Sequence, residues 1–135
     1  MPPMPAFDLN WIGIVLAALS AFALGGLWYG PLFKKTWCRE AGVDPDSAPR
    51  HPVHTFGAAF FCALLAAVMF DVFLPAGTRP DQGFAVGFVV GLFFVSMSLG
   101  INYAFARRSL VLWMIDSGYH VLQFALYGMI LGAWR

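Results

Sequence analysis

Four runs of apolar residues, at 11–33, 54–74, 83–105 and 110–134, constrain this chain more than any other feature in it. Each is close to the ~20 residues that a helix needs to cross ~30 Å of hydrocarbon. In lipid a backbone must satisfy its own hydrogen bonds, and a helix does so within one segment. Of the 135 residues 60% are hydrophobic and 11% charged, too few charged side chains to coat a water-soluble globule of this size. The expected fold is therefore all-α: an integral membrane four-helix bundle, antiparallel and up-down, forming one transmembrane domain over residues 1–135 with the lipid bilayer as its solvent.

The separators are short except for the loop 34–53, which holds Lys34, Lys35, Arg39 and Arg50, three acids and three prolines. Within it Lys34 to Ala41 suits an amphipathic extension of the first helix stopped by Gly42, and Asp44-Pro45 suits the start of another short turn. The first and third loops carry six basic residues (Lys34, Lys35, Arg39, Arg50, Arg107, Arg108), against Arg79 and Arg135 on the other side. By the positive-inside rule the loop 34–53 is cytoplasmic and both termini are non-cytoplasmic. Trp11, Trp28, Trp37, Trp113 and Trp134 fall near the expected helix ends, where an indole can bury its ring and keep its N–H wet. Residues 1–10 lack the Lys or Arg of a cleaved leader, so the first run is expected to be a retained helix. The net charge is +1 and the basic residues form no stripe that could follow a phosphate backbone, which excludes nucleic acid as a partner. The two cysteines, Cys38 in the loop and Cys62 inside an apolar run, belong at different depths and form no disulfide framework.

Small residues recur every fourth position: Gly13, Ala17, Ala21 and Gly25; Ala59, Ala63 and Ala67; Gly83, Gly87 and Gly91; and Gly128 with Gly132. Apolar side chains gain little from one another in lipid, so such stripes act by letting backbones approach. They either pack the helices within one protomer or join copies of it. On the fourth run Asp116, His120, Gln123 and Tyr127 share a polar wedge of about 60° at 100° per residue. Gly118, Ala125 and Gly132, spaced by sevens on the opposite side, form a smooth face expected to look outward and to suit a homo-oligomer.

An aspartate at the centre of a membrane helix costs about 2.5–3.5 kcal/mol on the insertion scale, so Asp116 needs an inward partner. Tyr29, Asn102, Asp116 and His120, with Ser98 and Cys62, all belong to the half of the bundle nearest the basic loops and can form one connected polar membrane site, with Gln123 deeper. The Asp116 and His120 pair has three readings: a structural hydrogen-bonded pair that fixes packing, a site that handles protons or attracts cations, or a group that faces a polar lipid headgroup or a partner protein. Asp71 is expected near the far interface, reaching water or Arg79. His51 and His54 beside Cys38, Asp44 and Asp46 give a weak metal pattern that Pro52 interrupts, and no metal or cofactor is expected. The chain has no nucleophile elbow, Walker loop, dinucleotide fingerprint or H-E-x-x-H helix, and so no motif that supports an enzyme.

Asn10-Trp11, then Gly26-Leu27-Trp28-Tyr29-Gly30-Pro31-Leu32-Phe33 leading to Trp37, Asn102-Tyr103-Ala104-Phe105, Gly118-Tyr119-His120 and Gly132-Ala133-Trp134 resemble the bacterial membrane proteins catalogued as domain of unknown function 1761. The likeness covers nearly the whole chain. It implies a small bacterial four-helix protein of the inner membrane and supplies no activity. In that family's fourth-helix motif an Asn is expected where this chain has Asp116. The expected role is a structural or accessory subunit of an oligomeric membrane assembly, as a homo-oligomer or within a larger membrane complex. The alternative is a proton-linked transporter or small-solute channel that a homo-oligomer builds around Asp116 and His120.

Overall fold

The structure, a computed structural model, describes residues 9–134. Arg135 and residues 1–8, which entered the charge and leader arguments, lie outside the described residues. Helix α1 spans Trp11–Leu27 and starts at Asn10, whose side chain accepts from the Gly13 N–H at 3.1 Å, one of the donors that a helix start leaves free. Pro31 cannot give an N–H to the Leu27 carbonyl, and the chain answers with a single π turn, Trp28–Leu32, closed by the Phe33 N–H to the Trp28 carbonyl at 3.0 Å. Helix α2, Lys34–Ala41, follows and ends at Gly42, which takes a left-handed φ of 73° that glycine adopts without strain.

Helix α3, Pro52–Phe73, carries proline in its first turn, where the missing N–H is harmless. Helix α4, Pro80–Val90, runs through a second π turn, Gly91–Val95, into α5, Ser96–Phe105. The Gly91 carbonyl at that turn receives both the Ser96 N–H and the buried Ser96 hydroxyl, the latter at 2.7 Å. Helix α6, Leu110–Ala133, is capped by Ser109, whose side chain accepts from the Leu112 N–H at 3.1 Å. Among the described residues three helices are long and apolar enough to cross a membrane: Trp11–Leu32, Pro52–Phe73 and Pro80–Phe105. Helix α6 has 24 residues but carries Asp116, His120 and Gln123, and it is the most enclosed, touching α1 to α5. Polar side chains that cannot face lipid place their helix in the middle.

Two kinds of small-residue contact surround α6. On one side Ile14, Ala17, Ala18 and Ala21 of α1 meet Ala63, Ala67 and Phe70 of α3, with Tyr127 and Leu131 of α6 closing the cluster. On the other, α4 lies along α6 with Gly83 against Gly128, Gly87 against Phe124 and Ala125, and Gly91 against His120 and Val121. A Cβ on Gly83 would fall on the Gly128 carbonyl, and one on Gly87 on the Phe124 carbonyl. These glycines thus set how closely two backbones approach within one chain.

The smooth face of α6 does not look outward. Ala125 and Gly132 are buried under α4, and a Cβ on Gly118 would stand 2.8 Å from Cζ2 of Trp28. The reason is the first π turn, which leaves Trp28 lying across α6 with its indole N–H donated to the Ile115 carbonyl at 2.8 Å. The Gly83, Gly87 and Gly91 stripe takes the remaining width. In a background with Cys38→Ser and Cys62→Ser, Ala125→Cys is expected to stay unlinked under oxidation in native membrane. A covalent dimer through position 125 would show that this face is open to a second copy.

Asp71 also departs from expectation. It is buried, and it accepts the Asn10 backbone N–H at 2.9 Å, while Asn10 donates its side-chain amide to the Trp134 carbonyl at 3.0 Å. Arg79 pairs with Asp81 two residues along, at 3.1 Å, because both sit in the same exposed helix start. Asp71 therefore ties the ends of α1, α3 and α6 together.

Candidate functional site

Asp116 receives three donors from three different elements. The Tyr29 hydroxyl, on the first π turn, donates to Oδ1 at 2.6 Å, and the Trp37 indole N–H, on α2, donates to the same oxygen at 3.0 Å. The Tyr103 hydroxyl, on α5, donates to Oδ2. Tyr29 and Trp37 pack edge to face with centroids 5.7 Å apart. Asp116 thus acts as an acceptor at both oxygens, its demand met by neutral groups of its own chain.

Tyr103 was not singled out by the sequence, and Asn102 was. In an uninterrupted helix about eleven residues make three turns, so Asn102 would return to the face of Gly91. The π turn at Gly91–Val95 adds one residue to that count, and Tyr103 takes the inward place. Asn102 is exposed and its side chain stands outside the network, as does exposed Ser98.

His120 belongs to a second polar chain. Its Nδ1 lies 2.6 Å from Gln123 Oε1, the Gln123 amide nitrogen donates to the Tyr127 hydroxyl oxygen at 3.0 Å, and Tyr127 donates to the Ala63 carbonyl at 2.8 Å. Gln123 is buried and Tyr127 completely so, which makes this satisfaction necessary. Asp116 and His120 are therefore not the direct pair that their spacing suggests. Tyr119 stands between the two groups, its ring 5.4 Å from Tyr29 and 5.0 Å from His120, its hydroxyl donated to the Ala21 carbonyl at 2.9 Å.

Beside His120 a cavity of about 890 Å³ opens where α1 and α3 diverge. The two helices are held together at Ala17, Ala21, Ala63 and Ala67, and the cavity fills the fork beyond, between Gly25, Gly26 and Gly30 on one side and Phe56, Ala59 and Cys62 on the other. Its floor is Tyr119, His120, Gln123 and Phe124 of α6. The volume lies within the ~300–1,000 Å³ of small-molecule sites, and the lining has the composition of one: an apolar wall with few polar groups. A Cβ on Gly26 or Gly30 would meet nothing within 4 Å, so these glycines leave room that side chains of ordinary size would fill. Sequence reasoning missed this cavity, because it depends on the angle between two helices. The run of small residues ending in Gly25, Gly26 and Gly30 was its available signal. A smaller cavity of about 340 Å³ lies across α6, lined by Trp28, Ser96, Trp113 and Ser117 among others.

The His51 and His54 rings are 5.5 Å apart. Among the described residues no three His, Cys, Asp or Glu side chains are placed to hold a metal ion.

Comparison with known proteins gives one family. The model described as protein of unknown function (DUF1761) matches residues 12–132. No curated protein and no solved structure matches the chain.

Proposed function

The chain belongs to the DUF1761 family, whose description assigns no activity, and from its own geometry we propose that it is a membrane-embedded binding protein that holds a hydrophobic molecule with one polar end in the fork between α1 and α3. In this reading four helices cross the bacterial inner membrane as an up-down bundle, α6 being the fourth, with both termini on the non-cytoplasmic side. The excess of Lys and Arg in the loops 34–53 and 106–109 supports that orientation. The protein serves as an accessory component of a larger membrane complex or of an assembly of its own copies. The cavity carries the proposal: about 890 Å³ of apolar-walled space ending on the His120 and Gln123 side chains, while Asp116 is engaged by Tyr29, Trp37 and Tyr103 away from it.

Native mass spectrometry on protein released from lipid nanodiscs tests it. The wild-type particle is expected to retain a bound small molecule, and Gly26→Leu, whose Cβ would meet nothing within 4 Å and whose longer side chain would take up space in the fork, is expected to lose it while keeping its helicity. The same adduct on both proteins, or on neither, would remove the binding role. The transporter alternative needs Asp116 as a working group. Its enclosure by Tyr29, Trp37 and Tyr103 favours binding, and proton flux in vesicles that Asp116→Asn abolishes would favour transport.

A further inference from the structure

The polar chain below the cavity has a direction, and its direction decides what the cavity can recognise. It is anchored at the Ala63 carbonyl, which can only accept. Tyr127 must therefore spend its single hydroxyl hydrogen there, and its oxygen meets Gln123 as an acceptor. The Gln123 atom 3.0 Å away is thus the amide nitrogen, which turns the amide oxygen toward His120. That oxygen carries no hydrogen, so at 2.6 Å it needs a donor, and the donor is Nδ1–H of His120. A neutral imidazole has one N–H, so Nε2 is left with a bare lone pair.

Nε2 has no partner among the described residues, and the His120 ring lines the cavity. Of the neighbouring polar groups the Tyr29 hydroxyl is committed to Asp116, the Tyr119 hydroxyl to Ala21 and the Gln123 oxygen to His120 itself, while exposed Lys34, which also lines the cavity, has an ammonium that can only donate, so Nε2 is the acceptor left for a ligand's own hydrogen. We propose that the cavity selects amphiphiles that end in a hydrogen-bond donor, an alcohol or phenol on an apolar body, which gives its hydrogen to His120 Nε2. The inference rests on the cavity-binding reading above and adds the chemistry of the ligand's polar end. Tyr127, outside the cavity lining, is a positioning residue in it: through Gln123, whose amide oxygen is turned to His120, it holds the imidazole in one tautomer.

Cys62 lines the same cavity and is exposed, whereas Cys38 is buried, so the chain carries its own reporter. With Cys38→Ser, maleimide labelling of Cys62 in nanodiscs is followed against two probes of equal tail, 4-octylphenol and its methyl ether 4-octylanisole. The phenol is expected to protect Cys62 at about five- to tenfold lower concentration than the ether, the worth of one neutral hydrogen bond. Tyr127→Phe keeps the shape but removes the anchor, and is expected to erase that preference while leaving protection by the ether unchanged. Nitrogen-15 NMR of a protein with His51→Gln and His54→Gln, leaving His120 as the one histidine, is expected to show the Nδ1–H tautomer. Equal protection by phenol and ether, or an Nε2–H tautomer, overturns the donor rule while the cavity still binds. Protection by neither probe overturns the rule together with the binding reading on which it stands.

Discussion

Alanine at Gly83 is expected to cost the protein about 3 kcal/mol, and leucine there to prevent folding. The Cβ of any residue at 83 would coincide with the Gly128 carbonyl. A flexible side chain could turn away, but the obstacle is the backbone of a helix enclosed by five others, so α4 and α6 must move apart. Overpacking of a core ordinarily costs about 1–3 kcal/mol, and a contact that side-chain rotation cannot relieve belongs at the upper end. The loss spreads, because α5 continues from α4 and supplies Tyr103 to Asp116 and the Ser96 carbonyl to the Trp113 indole. Gly57→Ala is the control: a Cβ there meets nothing within 4 Å, and in a helix interior alanine is the better helix former by about 1 kcal/mol. Unfolding in graded detergent, followed by circular dichroism, separates the two. If Gly83→Ala tracks Gly57→Ala, the close approach of α4 and α6 is not what holds the fold.

That contact also shows what a sequence of this kind discloses. A glycine every fourth residue at 83, 87 and 91 states that a backbone will come close, because spacing and side-chain size are local facts. Which backbone comes close is a fact of topology. Gly118, Ala125 and Gly132 carry the same local signal and were expected to face another copy, yet Trp28 and α4 cover them. Asp116 stood out as a residue in need of inward partners, and Tyr29 was among the groups expected near it. Tyr103 stayed hidden because one extra residue in the turn Gly91–Val95 rotates everything after it by about 100°. The first π turn had a visible cause in Pro31, whereas the second has no proline to announce it. The cavity was beyond reach for a further reason: alanines at 17, 21, 63 and 67 allow α1 and α3 to touch, but nothing in the spacing states how far they part at Gly26 and Ala59.

Asp116→Leu is expected to free α2 from the rest of the protein. The substitution removes the acceptor of three donors, and each donor left buried without a partner costs about 1–3 kcal/mol. Since Tyr29, Trp37 and Tyr103 are only partly enclosed, the total belongs near the lower end, about 3–5 kcal/mol. Trp37 contributes most visibly, because α2 is a helix of eight residues with few other anchors: the buried Cys38, and an Arg108 N–H to the Ala41 carbonyl at 3.5 Å. Helices this short are not stable on their own in water. Trypsin cleavage at Lys34, Lys35 and Arg39 is therefore expected to accelerate at least tenfold in Asp116→Leu, the change that loss of about 1.4 kcal/mol already produces. Asp116→Asn separates the need for an acceptor from the need for charge. Its amide oxygen can keep Tyr29 and Trp37, and its amide nitrogen can donate to the Tyr103 oxygen once that hydroxyl turns. Cleavage of α2 should then stay within about threefold of wild type, a cost below 1 kcal/mol. Were the Leu variant as resistant to trypsin as the wild type, α2 would be held by its apolar contacts alone, and the cage around Asp116 would have no part in fixing α2 to α6.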